Sequence, residues 1–282
     1  MGAGMARNLM RAGHQVKLYN RTREKAQALA GKRGEVVDSP AAVAAGSEAV
    51  FTMLSDDRAL SEVVEGANGL AQALKPGAAH ISSSTISTAL ARRLTKQHAD
   101  AGQIFISAPV FGRPEAAEAR KLIVIPAGDT NAIARYRPLF DAIGRITLVA
   151  GDEPWQANLV KLCGNFMIAS MLEAFSEAFA TVDKADIDRH LFLNVMSELF
   201  GSPVYSNYGA AVADRKFQPA GFALKLGLKD VRLAIEAAQE LNVSLPFASV
   251  VRDHLVSGMA HGQENWDWSS LALVAERSAG VA

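Results

Sequence analysis

The sequence predicts an α/β fold in which a doubly wound parallel sheet is followed by an all-α domain. Its 282 residues suffice for one large or two ordinary domains. Strand-like and helix-like stretches alternate in residues 1–152, whereas residues 153–282 contain no convincing strand. We therefore predict a domain boundary near residue 152.

The elements of the first domain follow from short apolar runs and from helix-start signals. Residues 1–12 predict a helix that ends at Gly13, and the next strand, QVKLY, is rich in large side chains. Ser39 and Pro40 mark a helix start, because a hydroxyl caps free amides and proline fits the first turn. Strands are predicted at residues 15–19, 49–54, 78–82, 103–107, 122–127 and 146–150, and further helices at residues 22–30 and 87–101. This alternation is typical of a mostly parallel sheet covered on both faces.

The second domain is predicted from helical spacing alone. Residues 155–180 are apolar at helical spacing, and further helices are predicted at residues 188–200, 224–241 and 246–262. Long apolar helices of this kind also predict a homodimer or a higher homo-oligomer.

Composition and charge exclude several classes of protein. Apolar residues make up 49% of the chain and charged residues 21%, which rules out a disordered chain. The 29 basic residues balance the 29 acidic ones, so we expect no nucleic-acid partner. The single cysteine, Cys163, excludes an intramolecular disulfide; we expect it to be buried and the protein to be cytoplasmic. No apolar run reaches about 18 residues and no signal peptide is present, so no membrane association is expected.

The start of the chain departs from the pattern of dinucleotide-binding folds. In such folds a first strand leads through a GxGxxG turn into a helix. Here the helix is present from Gly2, which would be the third glycine, but the first strand and the first two glycines are absent. Taken alone, MGAG also fits an ordinary flexible helix start. We expect Met1 to be an internal methionine with the strand encoded just upstream; the alternative is a true truncation that binds cofactor poorly.

Six segments carry a family resemblance in a fixed order. They are NLMRAGHQVKLYNRT, FTMLSDD, ISSST, SAPVFG, KLCGNF and LKLGLKD. Together they resemble the 6-phosphogluconate-dehydrogenase-like, or β-hydroxyacid dehydrogenase, superfamily, which includes 3-hydroxyisobutyrate dehydrogenase. The resemblance implies an N-terminally truncated, Rossmann-type NADP-binding domain at residues 1–152 and an all-helical substrate and dimerisation domain at residues 153–282. It also implies hydride transfer between a nicotinamide cofactor and a small hydroxyacid, ketoacid or aldehyde.

The cofactor is predicted to be NADP, with NAD as the alternative. Gly2 and the helix that it begins offer free N–H groups and a positive dipole end to a pyrophosphate. Asn20, Arg21 and Thr22 follow the next strand, where an NAD enzyme usually carries an acid for the ribose 2′-hydroxyl. Arg21 can instead pair with a 2′-phosphate, to which Asn20 and Thr22 donate hydrogen bonds. The alternative is an exposed turn with a solvated arginine.

The resemblance implies further cofactor contacts on three later segments. Met53 and Leu54 lie over the adenosine and ribose in the family, Thr85 lies near the nicotinamide, and Lys229 lies at the cofactor or substrate cleft. The hydroxyl residues 83–85 also fit the capping of the helix at residues 87–101. Lys229 with Asp230 also fits an ordinary charge pair at a helix start.

The substrate is predicted to contact Ser84 and the segment 107–113, which resembles the family's substrate-binding loop. Relatives commonly have a serine and two glycines where this chain has Phe111, Gly112 and Arg113. Phe111 fills that space with an apolar or stacking wall, and Arg113 can pair with a carboxylate or extend into solvent. The departure makes a larger or more apolar substrate plausible.

Lys161 is predicted to be the catalytic proton donor. It lies on the first helix of the second domain, and Asn165, four residues on, shares its helix face and is predicted to hold the lysine or the substrate. Hydride delivery to a carbonyl builds negative charge on oxygen, which an ammonium can stabilise and protonate. Oxidation requires the neutral amine, which desolvation favours. A solvated surface lysine is disfavoured by the apolar neighbours Leu159, Val160, Leu162 and Phe166.

Two other functions stay open from the sequence. One is an imine reductase on the same architecture, which Lys161 disfavours because those enzymes generally replace the lysine. The other is a non-catalytic dinucleotide-binding or scaffold protein, which the missing first strand favours and the retained lysine disfavours. The histidines show no metal-ligand spacing, so no metal site is predicted.

Overall fold

The computed structural model describes residues 1–281, which divide into an N-terminal unit, Met1–Lys161, and a C-terminal unit that begins at Leu162. The predicted fold class is confirmed, because strands and helices alternate in the first unit and the second is built from helices. The division falls nine residues after the boundary predicted from the sequence, within a helix that is continuous from one unit to the next. The roles assigned to the two domains stay predictions.

The N-terminal unit contains eight helices and eight strands within the described residues. Its helices are α1 (Gly2–Arg11), α2 (Arg23–Gln27), α3 (Pro40–Ala44), α4 (Asp57–Glu65), α5 (Leu70–Ala73), α6 (Thr88–Asp100), α7 (Pro114–Glu118) and α8 (Thr130–Ile143). Its strands are β1 (Val16–Leu18), β2 (Gly34–Val36), β3 (Ala49–Thr52), β4 (Ala79–Ser82), β5 (Ile104–Ser107), β6 (Val110–Phe111), β7 (Leu122–Val124) and β8 (Gly144–Thr147).

Two predicted elements have different bounds. The strand expected at residues 146–150 lies instead at Gly144–Thr147, where it pairs with β7, and the apolar residues Leu148 and Val149 beyond it are exposed. The helix expected at residues 22–30 ends at Gln27, because the chain must then turn between Gly31 and Gly34 to enter β2. Strands β2 and β6 were not predicted, since three and two residues are too few to show a period.

The strands form three small sheets, whereas the sequence predicted one mostly parallel sheet. β1 pairs with β2, and β3, β4 and β5 pair in that order, all in parallel. The third sheet has the order β6, β7, β8, in which β6 is antiparallel to β7. Within residues 1–281 no strand pairs with the second edge of β1 or of β3, and both strands line the cleft described below.

Helices cover both faces of the central sheet, as predicted. Met5 of α1 and Phe140 of α8 pack with Ile81 on one face. On the other face Leu60 of α4 and Leu94 of α6 pack in a second cluster with residues of β3 and β5. Alternate residues of each strand therefore enter opposite cores, which explains why β4 is buried throughout and β5 nearly so.

A buried histidine pair connects β4 to α6. His80 Nε2 lies 2.9 Å from Thr52 Oγ1, and His80 Nδ1 lies 3.0 Å from His98 Nε2. His98 Nδ1 lies 2.6 Å from Gln103 Oε1. The amide oxygen of Gln103 can only accept, so the chain is satisfied when both rings are neutral and carry their hydrogens on Nδ1. Burial is the main cause that lowers the pKa of both histidines, and the neighbouring His98 lowers the pKa of His80 further.

This pair is expected to make the protein labile in mild acid. Below about pH 6.5 the unfolded chain binds protons at both histidines while the folded chain does not. The free energy of unfolding should therefore fall as the pH decreases from 7 to 5, by up to about 1.4 kcal/mol per histidine and pH unit. Chemical denaturation at several pH values measures this slope. A His80→Phe variant should show a shallower slope, and an equal slope in both proteins would contradict the assignment.

The C-terminal unit contains no β-strand within its described residues, as predicted, apart from one isolated bridge between Ala223 and Asp267. Its helices are α9 (Pro154–Lys184), which begins in the first unit, α10 (Arg189–Phe200), α11 (Pro203–Ala213), α12 (Leu224–Glu240), α13 (Pro246–Ala260), a 3₁₀ turn (Trp268–Leu271) and α14 (Ala272–Ala279). The sequence did not predict α11 or α14.

The segment before α14 fixes the start of α12. Trp268 is 2% exposed and packs against Gly227, where a Cβ atom would lie only 2.8 Å from the indole ring. The Asp267 carboxylate accepts hydrogen bonds from the amides of Gly221 and Phe222 at 3.0 and 3.1 Å. These contacts hold the part of α12 that carries Lys229.

Helix α9 combines an apolar sequence with an exposed cysteine. It is the one helix among residues 1–281 that is long and apolar enough to cross a membrane, but half of its most apolar stretch is buried in the fold, as in a core helix. The expectation that Cys163 is buried is wrong, because the helix places this residue on an exposed face with Met167. Partial desolvation nevertheless raises the pKa of its thiol.

Candidate active site

A cleft of 1530 Å³ in the N-terminal unit is lined by six of the eight predicted cofactor-binding residues. Its lining includes Gly2, Asn20, Arg21, Thr22, Met53 and Leu54. Helix α1 begins at the cleft without a side-chain cap and without an acidic residue in its first turn. Its free N–H groups and positive dipole end therefore suit an anion such as a pyrophosphate.

The turn after β1 brings Arg21 to this cleft, whose lining elsewhere also includes the acids Glu35, Glu48 and Glu62. Asn20 Oδ1 accepts a hydrogen bond from the Thr22 amide at 2.9 Å, which fixes the turn, and Arg21 is exposed. Lys25, Lys32 and Arg33 also line the cleft. The volume and the uncapped helix fit a dinucleotide.

The hydroxyl-bearing residues after β4 make different contacts. Ser84 is fully buried, and its Oγ accepts a hydrogen bond from the Leu54 amide at 2.9 Å. It therefore joins the loops that follow β3 and β4. Ser87, and not residues 83–85, caps α6 by accepting from the Leu90 amide at 2.9 Å. Thr85 is partly buried and does not line the cleft, so its cofactor role stays a prediction.

The segment predicted to bind substrate is fixed by strand pairing. Phe111 lies opposite Ile123 in the antiparallel pair of β6 and β7. Gly112 has φ +141°, and a Cβ atom there would lie 2.7 Å from Leu122 Cδ2, so only glycine fits this turn. Arg113 follows at the N-cap of α7.

The structure brings Phe111 and Lys161 into contact. The Lys161 ammonium lies 3.9 Å from the centroid of the Phe111 ring, a distance at which a cation–π interaction stabilises the cation. The ring also packs against an apolar cluster that contains Ile125 and Ala157. Lys161 is only 8% exposed, which excludes the solvated surface lysine considered from the sequence. The ring and the burial limit the access of water to this amine.

In the C-terminal unit, one carboxylate organises two predicted site residues. Asp230 is 1% exposed, and its Oδ2 accepts a hydrogen bond from Asn165 Nδ2 at 2.5 Å. Its Oδ1 lies 2.9 Å from Lys229 Nζ, so the charge pair considered from the sequence does form. Asp230 orients Asn165, a role that sequence reasoning missed. The available signal was the acid in LKD, directly after Lys229 in a segment that carries the family resemblance.

The described residues 1–281 contain no cluster of three or more histidine, cysteine, aspartate or glutamate side chains that could hold a metal ion.

Two family models match the chain in succession. Residues 1–151 match the NAD binding domain of 6-phosphogluconate dehydrogenase, and residues 156–275 match the NAD-binding domain of NADP-dependent 3-hydroxyisobutyrate dehydrogenase. Together these two matches cover both units of the structure.

Similar proteins that match nearly the whole chain include several oxidoreductases. An uncharacterized oxidoreductase, YfjR, from Bacillus subtilis is 41% identical over 96% of this chain and 95% of its own length. The chloroplastic glyoxylate/succinic semialdehyde reductase 2 of Arabidopsis thaliana is 31% identical over 99% of this chain and 78% of its own length. The crystal structure of 3-hydroxyisobutyrate dehydrogenase from Salmonella typhimurium superposes with a TM-score of 0.87 at 25% identity and covers 97% of this chain and 95% of that one.

Proposed function

Because the chain belongs to the 6-phosphogluconate-dehydrogenase-like, or β-hydroxyacid dehydrogenase, superfamily, we propose that it transfers a hydride between NADP and a small hydroxyacid, ketoacid or aldehyde. That it is an oxidoreductase of the hydroxyacid type with a nicotinamide cofactor follows from the family. The preference for NADP and the substrate class are the proposal. The observation that supports the proposed hydride and proton transfer is the burial of Lys161, whose ammonium lies against the Phe111 ring.

Lys161 supplies the proton in this proposal. The bound nicotinamide supplies the hydride. As the carbonyl oxygen gains charge, the Lys161 ammonium stabilises it and donates a proton to it, which is general acid catalysis at the reacting atom. The Phe111 ring keeps water from the amine and holds it in one place. Asn165, oriented by Asp230, binds the substrate from the next turn of the same helix.

The chain's own groups also account for cofactor binding. The uncapped start of α1 at Gly2 would bind the pyrophosphate, and Met53 and Leu54 would cover the adenosine. Arg21 would pair with the 2′-phosphate, since no acid in the turn repels it. Thr85 and Lys229 are proposed to contact the nicotinamide end, and Ser84, Gly112 and Arg113 the substrate.

Consumption of NADPH against a carbonyl panel tests the function. The panel contains glyoxylate, succinic semialdehyde, longer 2- and 3-ketoacids and a cyclic imine. We expect turnover of at least one aldehyde or ketoacid and none of the imine. Turnover of the imine alone would make the protein an imine reductase. Tight NADPH binding without any turnover would make it a non-catalytic dinucleotide-binding protein.

We also propose that the protein is a homo-oligomer. Helix α10 exposes Leu191, Val195 and Leu199 at 56%, 52% and 68%, and these residues lie four apart on one face. An apolar stripe of this kind is typical of a surface that a second copy covers. Light scattering should give a mass of two or more chains. Val195→Asp should lower that mass, whereas Asn194→Asp, on the adjacent exposed position, should not; a monomeric native protein would contradict the proposal.

The amino-acid composition of the chain supports a cytoplasmic location for the protein. A single cysteine, balanced charge and small-molecule chemistry fit the reducing cytoplasm, without a nucleic-acid or membrane partner. Fractionation of expressing cells would check this, and recovery in the membrane fraction would contradict it.

A further inference from the structure

Asn158 is a buried amide that has no hydrogen-bond partner among residues 1–281. It lies on α9 and is 1% exposed, and neither its Oδ1 nor its Nδ2 atom makes a hydrogen bond. Buried polar groups in folded proteins are nearly always paired, so an unpaired amide needs an explanation.

Asn158 shares a helix face with the proposed proton donor. At about 100° per residue, Asn158, Lys161 and Asn165 fall within an arc of about 60° on α9. Residues three apart on a helix have their Cβ atoms about 5–6 Å from each other. A small molecule whose carbonyl oxygen meets Lys161 therefore has its neighbouring polar atoms within reach of the Asn158 amide.

A buried asparagine without a hydrogen-bond partner costs stability at position 158. The preceding residue, Ala157, is fully buried in an apolar cluster with Ile125 and Ala127, so this turn of α9 lies in the interior. A leucine at position 158 would have a similar branched shape without a polar group to desolvate. Retaining an asparagine at such a place is typical of a ligand-binding position, where stability is given up for recognition.

We infer that Asn158 is a substrate-binding residue, which recognises a hydroxyl or carboxylate next to the reacting carbon. Its Nδ2 donates to a carboxylate or hydroxyl oxygen, and its Oδ1 accepts from a hydroxyl hydrogen. A hydroxyacid offers both kinds of partner, whereas a simple aldehyde offers neither. The inference rests on the proposed function, and it narrows the substrate to a 2- or 3-hydroxyacid or the corresponding oxo acid.

Replacing Asn158 by leucine should change stability and binding in opposite directions. The ligand-free Asn158→Leu protein should melt at least as high as the native protein, by up to about 6 °C higher, because an unpaired buried amide is removed. Its KM for glyoxylate, or for the panel's best oxo acid, should rise about 10-fold or more, because the substrate's polar group loses its partner. Its affinity for NADPH should stay unchanged.

Asn8 provides a matched control in the same unit. It is also buried, but its Nδ2 donates to the Ala117 carbonyl at 2.7 Å. Asn8→Leu should therefore lower the melting temperature and leave the KM unchanged. Asn158→Ala serves as a second variant, so that overpacking by leucine does not decide the result.

Four results would separate the possibilities. A higher melting temperature with a higher KM supports the inference. A lower melting temperature with an unchanged KM, as in Asn8→Leu, overturns it and makes the amide structural. A loss confined to NADPH affinity, measured by the shift in melting temperature with NADPH alone, overturns the assignment to the substrate. If the native protein turns over no carbonyl while a hydroxyacid still raises the melting temperature of the native protein but not of Asn158→Leu, the inference stands and the proposed function fails.

Discussion

Replacing Lys161 by alanine is expected to lower kcat by about 10²–10⁴ while leaving the affinity for NADPH nearly intact. The reason is that the ammonium stabilises and protonates an oxygen that becomes charged only as the hydride arrives. Its contribution therefore appears in the transition state and not in the binding of cofactor. Steady-state kinetics on the best carbonyl of the panel, together with NADPH titration, measures both quantities.

Two further variants control for charge and position. Lys161→Arg should not restore activity, because arginine keeps its proton at neutral pH and is too bulky for the space beside the Phe111 ring. Asn165→Ala should have a smaller effect on kcat, because Asn165 binds and orients without carrying the proton. A Lys161→Ala variant with native kcat would make this lysine structural and would direct the search to Lys229 or Arg113.

Replacing Arg21 by alanine is expected to weaken NADPH binding by roughly 10- to 100-fold, since a charge-assisted hydrogen bond contributes about 1.5–3 kcal/mol. NADH lacks the 2′-phosphate, so its affinity should hardly change. Arg23 offers a matched control, because its guanidinium is already paired with the Asp38 carboxylate. Arg23→Ala should leave the ratio of the two affinities as it is. Equal affinity of the native protein for NADPH and NADH would contradict the NADP preference.

The fold class followed from the sequence because long periodic segments leave little choice. Residues 155–180 repeat their apolar side chains at helical spacing, and the structure extends this helix to Pro154–Lys184. Short strands such as β2 and β6 could not be predicted, since their pairing depends on partners elsewhere in the chain. The apolar run at residues 146–150 gave a wrong strand position for the related reason that hydrophobicity does not specify register.

The motifs singled out Lys161, Asn165 and six residues that line the cleft, because each lies in a segment with its own local signature. The roles of these residues stay predictions. Asp230 was missed as an orienting residue, since its partner Asn165 is 65 positions away. The histidine pair was missed for the same reason, as His80 and His98 meet only through the packing of α6 on β4. Asn158 could not be singled out, because a polar residue in a helix signals nothing until its burial is known.

Transfer of deuterium shows whether the protein passes a hydride from NADPH to a carbonyl with Lys161 as the proton donor. The protein is incubated with NADPH deuterated at the transferable position of C4 and with glyoxylate, succinic semialdehyde or the best carbonyl of the panel, and the product is weighed by mass spectrometry. We expect a product alcohol one mass unit heavier than with ordinary NADPH, formed at a rate that Lys161→Ala lowers by about 10²–10⁴. Two results would contradict this role of Lys161: the protein binds NADPH but no product alcohol contains deuterium, or the Lys161→Ala variant transfers deuterium at the native rate.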